Sequence, residues 1–166
     1  LDGLDKLSSD QDLRWLPCVL PPHVKLLGSA LESEARHAAS ARDWALLEIK
    51  PLDETERRAF VIGTLERMGK SLSPERITRV VAHPLGGTPL FLRTLLDELR
   101  FSATNERLDE RLNFYLEARD IAGLFARQLD RLERDCGFAL VASATSHIWA
   151  SHAGLEETEI RAITGA

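Results

Sequence analysis

Cysteine is scarce in this sequence, and so are other residues that mark specialised fold classes. The chain has 2 cysteines, without a CxxC pair or a Cys–His spacing typical of zinc sites. Its 10 glycines and 7 prolines follow no period, which excludes a collagen-like or low-complexity chain. No apolar run approaches the ~18–20 residues that span a bilayer. These absences exclude a disulfide scaffold and a membrane-spanning chain, and they predict a reducing, cytoplasmic setting without a membrane partner.

A strong excess of charge of one sign is also missing. The 21 Lys and Arg against 26 Asp and Glu give a net charge of −5, so we do not expect nucleic acid as a ligand. Hydrophobic residues make up 44% and charged residues 28%, proportions of a globular protein that can bury a core. The sequence begins at Leu1 rather than Met, within what resembles a strand end. We therefore expect a folded piece of a longer protein.

The first fifty residues alternate short apolar runs with helical stretches. The apolar runs Val24–Ser29 and Trp44–Ile49 predict short strands, and the Ala-rich stretch Glu32–Arg42 predicts a helix between them. A strand–helix–strand order implies a parallel, buried sheet. A further short helix is predicted over Asp10–Leu16.

The rest of the chain predicts helices almost throughout. Ser73-Pro74 and Thr88-Pro89 each place a capping residue before a proline at the first helical position. Apolar residues then recur at helical spacing. Predicted helices cover residues 53–68, 73–83, 88–101, 105–117, 120–135 and 138–152, with one more from 156.

Three short segments could carry chemistry. Leu1–Asp5 places two carboxylates after an apolar start, and such carboxylates hold Mg²⁺ and orient water in phosphoryl transfer; an Asp-Gly turn is the alternative. Val24–Ser29 ends in a hydroxyl that can contact a phosphate, or it is a plain strand end. Gly86–Pro89 leads into a helix N-terminus, which favours anions, or it is a helix start between packed helices.

Taken in order, these segments resemble one family. Leu1–Asp5 is similar to the Walker B segment of NACHT-type STAND ATPases, signalling relatives of AAA+ proteins. The stretch formed by Trp15–Pro17 and Leu20–Leu26 is similar to their next helix and sensor 1 strand. Pro51–Glu56 resembles the entry into their helical lid, and Gly87–Leu92 resembles the lid's Gly-x-Pro motif. Asp130–Leu155 is similar to the opening of their winged helix. The resemblance implies a predominantly α fold with a small remnant of a parallel α/β sheet, comprising the C-terminal part of a P-loop NTPase domain, a helical lid and the start of a winged helix.

The resemblance also implies roles for individual residues. Asp2 would coordinate Mg²⁺, and Asp5 would polarise the attacking water as the catalytic acidic residue. Ser29 would sit at sensor 1 and contact the cofactor, ATP or ADP, although Ala30 stands where many members have arginine. The residues that would shape the turn near the adenine are Gly87, Thr88 and Pro89.

These implied parts form three modules: 1–50 from the nucleotide-binding α/β domain, 51–118 as the helical lid and 119–166 as the truncated start of the winged helix. No Gly-x-x-x-x-Gly-Lys-Ser/Thr loop occurs, so we expect this chain alone neither to bind ATP tightly nor to hydrolyse it. The implied function is a signalling ATPase that acts as a nucleotide-dependent conformational switch in the full parent. Its implied partners are a missing N-terminal P-loop segment, C-terminal sensor or repeat domains, and further copies in an ATP-bound homo-oligomer.

A different reading of the same residues is a non-catalytic helical adaptor or a winged-helix module that binds protein or DNA. The helical bulk of residues 53–166 and the missing phosphate loop favour this alternative. The acidic net charge argues against DNA as its ligand.

Overall fold

The computed structural model describes residues 1–100 and 105–165, and it divides the chain into two compact units. The first unit is residues 1–50, and the second begins at Pro51. No β-strand occurs in either of the described ranges, and the expectation of a predominantly α fold is confirmed. The assignment of 1–50, 51–118 and 119–166 to three functional modules stays a prediction.

A small apolar cluster organises the first unit. It combines a 3₁₀ helix at Leu4–Lys6 with helix α1 (Glu34–Ala41). Helix α1 begins after Ser33, whose hydroxyl accepts a hydrogen bond from the N–H of Arg36. The helix predicted in this region is therefore confirmed. The buried members of the cluster are Leu4, Leu13, Leu16, Ala35 and Ala39.

The predicted remnant of a parallel sheet is not found among the described residues of this unit. The backbone of Leu1 does bond to Val24–Ser29: its amino group donates to the Leu27 carbonyl at 2.8 Å and its carbonyl accepts from the Ser29 N–H at 3.0 Å. This short pairing does not extend into a strand. In the other predicted strand, Trp44–Ile49, the Leu47 side chain is 85% exposed. Buried parallel strands need cover on both faces, which this segment lacks within the unit.

The predicted helix at Asp10–Leu16 is replaced by turns. Asp10 and Leu13 have φ angles of 63° and 56°, in the left-handed region that interrupts a right-handed helix. Leu13 is nonetheless fully buried in the cluster of the first unit. We infer that burial of this side chain offsets the local strain and overrides helical propensity.

The described part of the second unit contains helices α2 to α8 and a 3₁₀ helix at Pro84–Gly87, and local signals start several of the α-helices. Asp53 and Glu56 form a capping box at the first of these helices. Ser73 and Asp120 cap two others through their side chains. The predicted helices of this half are therefore confirmed. Their bounds are Glu54–Arg67 (α2), Pro74–Ala82 (α3), Pro89–Arg100 (α4), Asn105–Leu116 (α5), Ile121–Cys136 (α6), Phe138–Ala150 (α7) and Glu157–Thr164 (α8).

Helix α4 lies at the centre of the second unit. Its apolar face packs against residues of α2, α3, α5 and α6, and Phe91, Leu92 and Leu95 are fully buried. Phe101, predicted as the approximate end of this helix, lies outside the described residues. Across the described ranges, helices are too short or too polar to cross a membrane.

Candidate functional site

The first unit brings Asp2 and Ser29 into direct contact. The Ser29 hydroxyl donates to Asp2 Oδ1, and its oxygen accepts from the Gly3 N–H at 2.9 Å. The hydrogen bond from Ser29 lowers the pKa of Asp2 below its ordinary value. Asp5 lies on the adjoining 3₁₀ turn, where its Oδ1 accepts from the Leu31 N–H at 3.0 Å. Both carboxylates therefore link the N-terminal segment to the backbone and side chains of residues 29–31 by hydrogen bonds.

These two carboxylates offer an incomplete ligand set for Mg²⁺. Asp2 already accepts from a hydroxyl, and Asp5 accepts from a backbone amide. No group of three or more His, Cys, Asp or Glu side chains that could hold a metal ion occurs in the part of the chain that the structure describes. No metal-dependent step follows from this geometry, and the roles expected of Asp2, Asp5 and Ser29 stay predictions.

The Gly-x-Pro residues lie in the second unit, where the segment before α4 meets the segment before α2. The N–H of Leu52 donates to the Gly87 carbonyl at 2.9 Å. A Cβ on Gly87 would lie 3.0 Å from Pro51 Cβ and 3.1 Å from the Arg57 guanidinium. Close packing therefore favours glycine at position 87, because any larger residue would require Pro51 or Arg57 to move.

Backbone atoms likewise leave no room for a side chain at Gly86. A Cβ there would lie 3.0 Å from the Val81 carbonyl oxygen and 3.2 Å from that of Val80. Arg57 fastens this junction, since its Nε donates to the Leu52 carbonyl at 2.8 Å and its guanidinium donates to the Val81 carbonyl at 3.1 Å. Sequence reasoning missed Arg57, because nothing local distinguishes it from the neighbouring Arg58.

Thr88 and Pro89 complete the junction. The N–H of Thr88 donates to the Leu85 carbonyl at 2.9 Å, and Pro89 is the exposed first residue of α4. The geometry of Gly87, Thr88 and Pro89 is that of a close-packed helix start. Their expected role around an adenine stays a prediction.

A buried acid links three helices of the second unit. Glu98 on α4 is 1% exposed and accepts hydrogen bonds from Tyr115 on α5 at 2.5 Å, Gln128 on α6 at 2.9 Å and Arg131 on α6 at 2.5 Å. Burial by itself raises the pKa of Glu98, but the bonds from Arg131, Tyr115 and Gln128 outweigh it and hold the pKa below its ordinary value.

Arg131 also donates to Asp135 at 2.9 Å, so the ion pair continues along α6. We refer to Glu98, Tyr115, Gln128 and Arg131 as the Glu98 network. Every member lies on a helix that contributes to the core, and the network fixes α5 and α6 against α4. The signal in the sequence was an acidic residue between the apolar positions Leu96 and Leu99, and sequence reasoning missed it.

Helix α7 presents an uncharged surface. Residues 137–155 contain no Asp, Glu, Lys or Arg, although such residues make up 28% of the chain. Val141 is buried, whereas Phe138 is 69% exposed and Trp149 is 89% exposed. Two large aromatic side chains therefore face solvent at opposite ends of an apolar helix.

Two of the polar side chains of α7 are bonded to their own helix. The Thr145 hydroxyl donates to the Val141 carbonyl at 2.7 Å, and the His147 ring nitrogen Nδ1 lies 2.7 Å from the Ser143 carbonyl oxygen. Such bonds within a helix satisfy the polar groups locally. Burial of the Thr145 hydroxyl under apolar groups would therefore leave no donor unsatisfied.

Comparison with known proteins finds a relative whose sequence matches most of this chain. The chain is 32% identical over 163 residues to a TPR repeat-containing protein of Dictyostelium discoideum. The match covers 94% of this chain and 10% of that protein, so the chain spans a small part of the curated relative that it matches. No family model matches the chain, and no solved structure matches it.

The interpretation as a NACHT-type STAND ATPase is wrong. The relative is named for TPR repeats, and no P-loop or NACHT family model matches. The function that depended on the resemblance, an AAA+-related, ATP-binding signalling switch, is withdrawn with it. A helical adaptor, the alternative interpretation, fits the relative and the helical structure better.

Proposed function

We propose that this chain is a helical adaptor module, a scaffold that presents a surface to a helix of another protein. The observation that carries the proposal is α7, an uncharged helix whose aromatic residues Phe138 and Trp149 are largely exposed. Folded proteins rarely leave contiguous apolar patches open to water unless these patches bind something. Tryptophan and other aromatic residues are also enriched at the energetic centres of protein interfaces.

The rest of the second unit is a rigid scaffold, as this proposal requires. The Glu98 network and the core around α4 hold α2 to α6 in one arrangement. Helix α7 then packs on α6 and α8, its neighbours in sequence. TPR repeats are helix–turn–helix units that stack on their neighbours and form binding surfaces, so the name of the relative agrees with such a role.

The surface of α7 favours a protein ligand of apolar character. Its lack of basic residues gives it no electrostatic attraction for nucleic acid. A depression of about 580 Å³ at the α5–α6 turn is lined by charged residues such as Glu117, Arg119 and Arg127, unlike the mostly apolar pockets that bind small molecules. The free, exposed thiols of Cys18 and Cys136 agree with a cytoplasmic setting, which we also propose.

The proposal is tested with a displayed library of amphipathic helical peptides, about four turns long. Binders selected on the wild-type chain are labelled, and their Kd is measured by fluorescence anisotropy. We expect Trp149→Glu to weaken binding by about 30-fold, because loss of an aromatic anchor costs about 2 kcal/mol.

The matched control is Leu90→Glu, since Leu90 is 50% exposed on the first turn of α4, outside α7. This control should bind the peptides as the wild-type chain does. Equal binding by the wild-type chain and Trp149→Glu would reject α7 as the surface, and a library without binders would reject the adaptor itself.

A further inference from the structure

We infer that His83 is a pH-sensitive switch: its neutral ring joins the turn between α3 and α4 to the end of α5, and its protonation breaks this connection. The ring lies where these elements meet. His83 follows the last residue of α3, precedes the 3₁₀ helix at Pro84–Gly87 and stacks on Phe91 of α4, with ring centroids 4.6 Å apart and planes inclined by 6°. Phe91 is fully buried in the core. A change in the charge of this ring therefore acts on the segment that leads into α4.

Both nitrogens of the His83 ring contact backbone groups. Nδ1 accepts a hydrogen bond from the Leu85 N–H at 3.2 Å, which caps the 3₁₀ helix, and Nε2 lies 2.9 Å from the carbonyl oxygen of Leu116, the last residue of α5. An amide N–H can only donate and a carbonyl can only accept, so the two bonds form together only when the ring is neutral with its hydrogen on Nε2. A second hydrogen on Nδ1 would point at the hydrogen of the Leu85 amide. Protonation therefore removes the cap of the 3₁₀ helix, whereas the bond to Leu116 can stay.

The surroundings of the ring disfavour its charged form. Burial lowers the pKa of His83 below its ordinary value, and the bond to the Leu116 carbonyl opposes this effect only in part. Neither cause is a charged side chain. The pKa of His83 is therefore set by the packing and the backbone contacts of the switch itself.

Charged side chains on the elements around the ring have partners of their own. They bond to backbone carbonyls, to Asn113, to Asp97 and to Arg127, and they are Arg57 on α2, Arg79 on α3, Arg93 on α4 and Glu117 directly after α5. The acid among them, Glu117, lies 3.1 Å from the Arg127 guanidinium. A protonated ring would thus gain no ready ion pair that compensates for the lost cap.

The expected dependence on pH has a definite sign. In the unfolded chain, His83 takes up a proton near the ordinary pKa of histidine, about 6.5, whereas the folded ring resists protonation. The cap is therefore complete at pH values above 6.5 or so, and it is lost as the pH falls through the lower, folded pKa. Glu98 acts at still lower pH, because the ordinary pKa of a carboxyl group lies well below that of an imidazole.

The test is an NMR titration of the 166-residue chain, combined with amide hydrogen exchange. The carbon-bound protons of the ring give the pKa of His83, and protection factors are measured about one pH unit above and below that value. We expect the protection factor of the Leu85 amide to fall by about tenfold when the ring is protonated, because the amide loses its acceptor. The amides at the centre of α2 should keep their protection.

His83→Asn is the variant that separates titration from packing. Its side-chain oxygen can accept from the Leu85 amide at any pH, since asparagine is a good capping residue, so the dependence on pH should disappear. His152→Asn replaces an exposed histidine and should retain the dependence. Far-UV circular dichroism checks that both variants keep their helices.

Three results would overturn the switch. They are an unchanged protection factor for Leu85 across the titration of the ring, unfolding of the chain before the ring titrates, and the same fall in protection in His83→Asn as in the wild-type chain. The first two are measured on the wild-type chain alone, so they decide the question even if the variant fails to fold.

Discussion

Replacing Arg131 by methionine should destabilise the second unit by about 3–5 kcal/mol, because it removes one partner of a buried ion pair. The substitution leaves the Glu98 carboxylate, 1% exposed, without the guanidinium that donates to both of its oxygens. The hydrogen bonds from Tyr115 and Gln128 would remain, but they do not supply a positive charge. The free energy of unfolding from urea titration measures the loss.

A compensated variant separates the buried charge from simple loss of packing. Glu98→Leu and Tyr115→Phe, combined with Arg131→Met, remove the acid and its two strongest partners together. Replacing the buried acid together with Tyr115 and Arg131 by apolar side chains of similar size should recover most of the lost stability. If Arg131→Met unfolds at the urea concentration of the wild-type chain, the Glu98 network does not hold these helices together.

The same network sets a dependence on pH. Since the pKa of Glu98 is held below its ordinary value in the folded chain, the carboxylate stabilises the fold at pH values above its unfolded pKa. This contribution is lost as the pH falls from the unfolded pKa through the lower, folded pKa. The loss on acidification should be smaller in the compensated variant, which lacks this carboxylate.

Substitution of Gly86 by alanine should destabilise the second unit by about 1–3 kcal/mol, the cost of forcing extra atoms into a packed site. The new Cβ would lie 3.0 Å from the Val81 carbonyl oxygen and 3.2 Å from that of Val80. Both neighbours are backbone atoms, which cannot rotate away as a flexible side chain could. Thermal unfolding followed by circular dichroism measures the effect as a lower Tm.

Gly63→Ala is the matched control for this substitution. Gly63 lies inside α2, and a Cβ there would meet no atom within 4 Å. Alanine should therefore stabilise the helix by about 0.5–1 kcal/mol, since glycine is the poorer helix former. If the two substitutions shift the Tm in the same direction, close packing is not the reason for glycine at position 86.

The helices of the second unit could be predicted because their signals are local. Ser73 and Pro74 are adjacent in sequence, and the capping box joins Asp53 to Glu56 within one turn. Such signals need no knowledge of the rest of the fold. The apolar residues of Trp44–Ile49 carried no comparable information, because an apolar run becomes a strand only when another strand pairs with it.

The surroundings of the candidate site residues could not be predicted, because the deciding contacts join distant parts of the chain. Gly86 and Gly87 resembled a ligand-binding turn, but their environment comes from Arg57 and the carbonyl of Val81. Asp2 resembled a metal ligand, but its carboxylate bonds to Ser29. The order of motifs suggested an ATPase, and it carried no information on these long-range contacts.

Amide hydrogen exchange tests the role of α7 as a contact surface most directly. Exchange is measured on the wild-type chain alone and with a saturating amount of a selected helical peptide. We expect the amides of Phe138–Ala150 to gain protection when the peptide is bound, while those of α2 and α4 stay unchanged. Protection gained elsewhere, with no change in α7, would contradict the adaptor surface proposed for this chain.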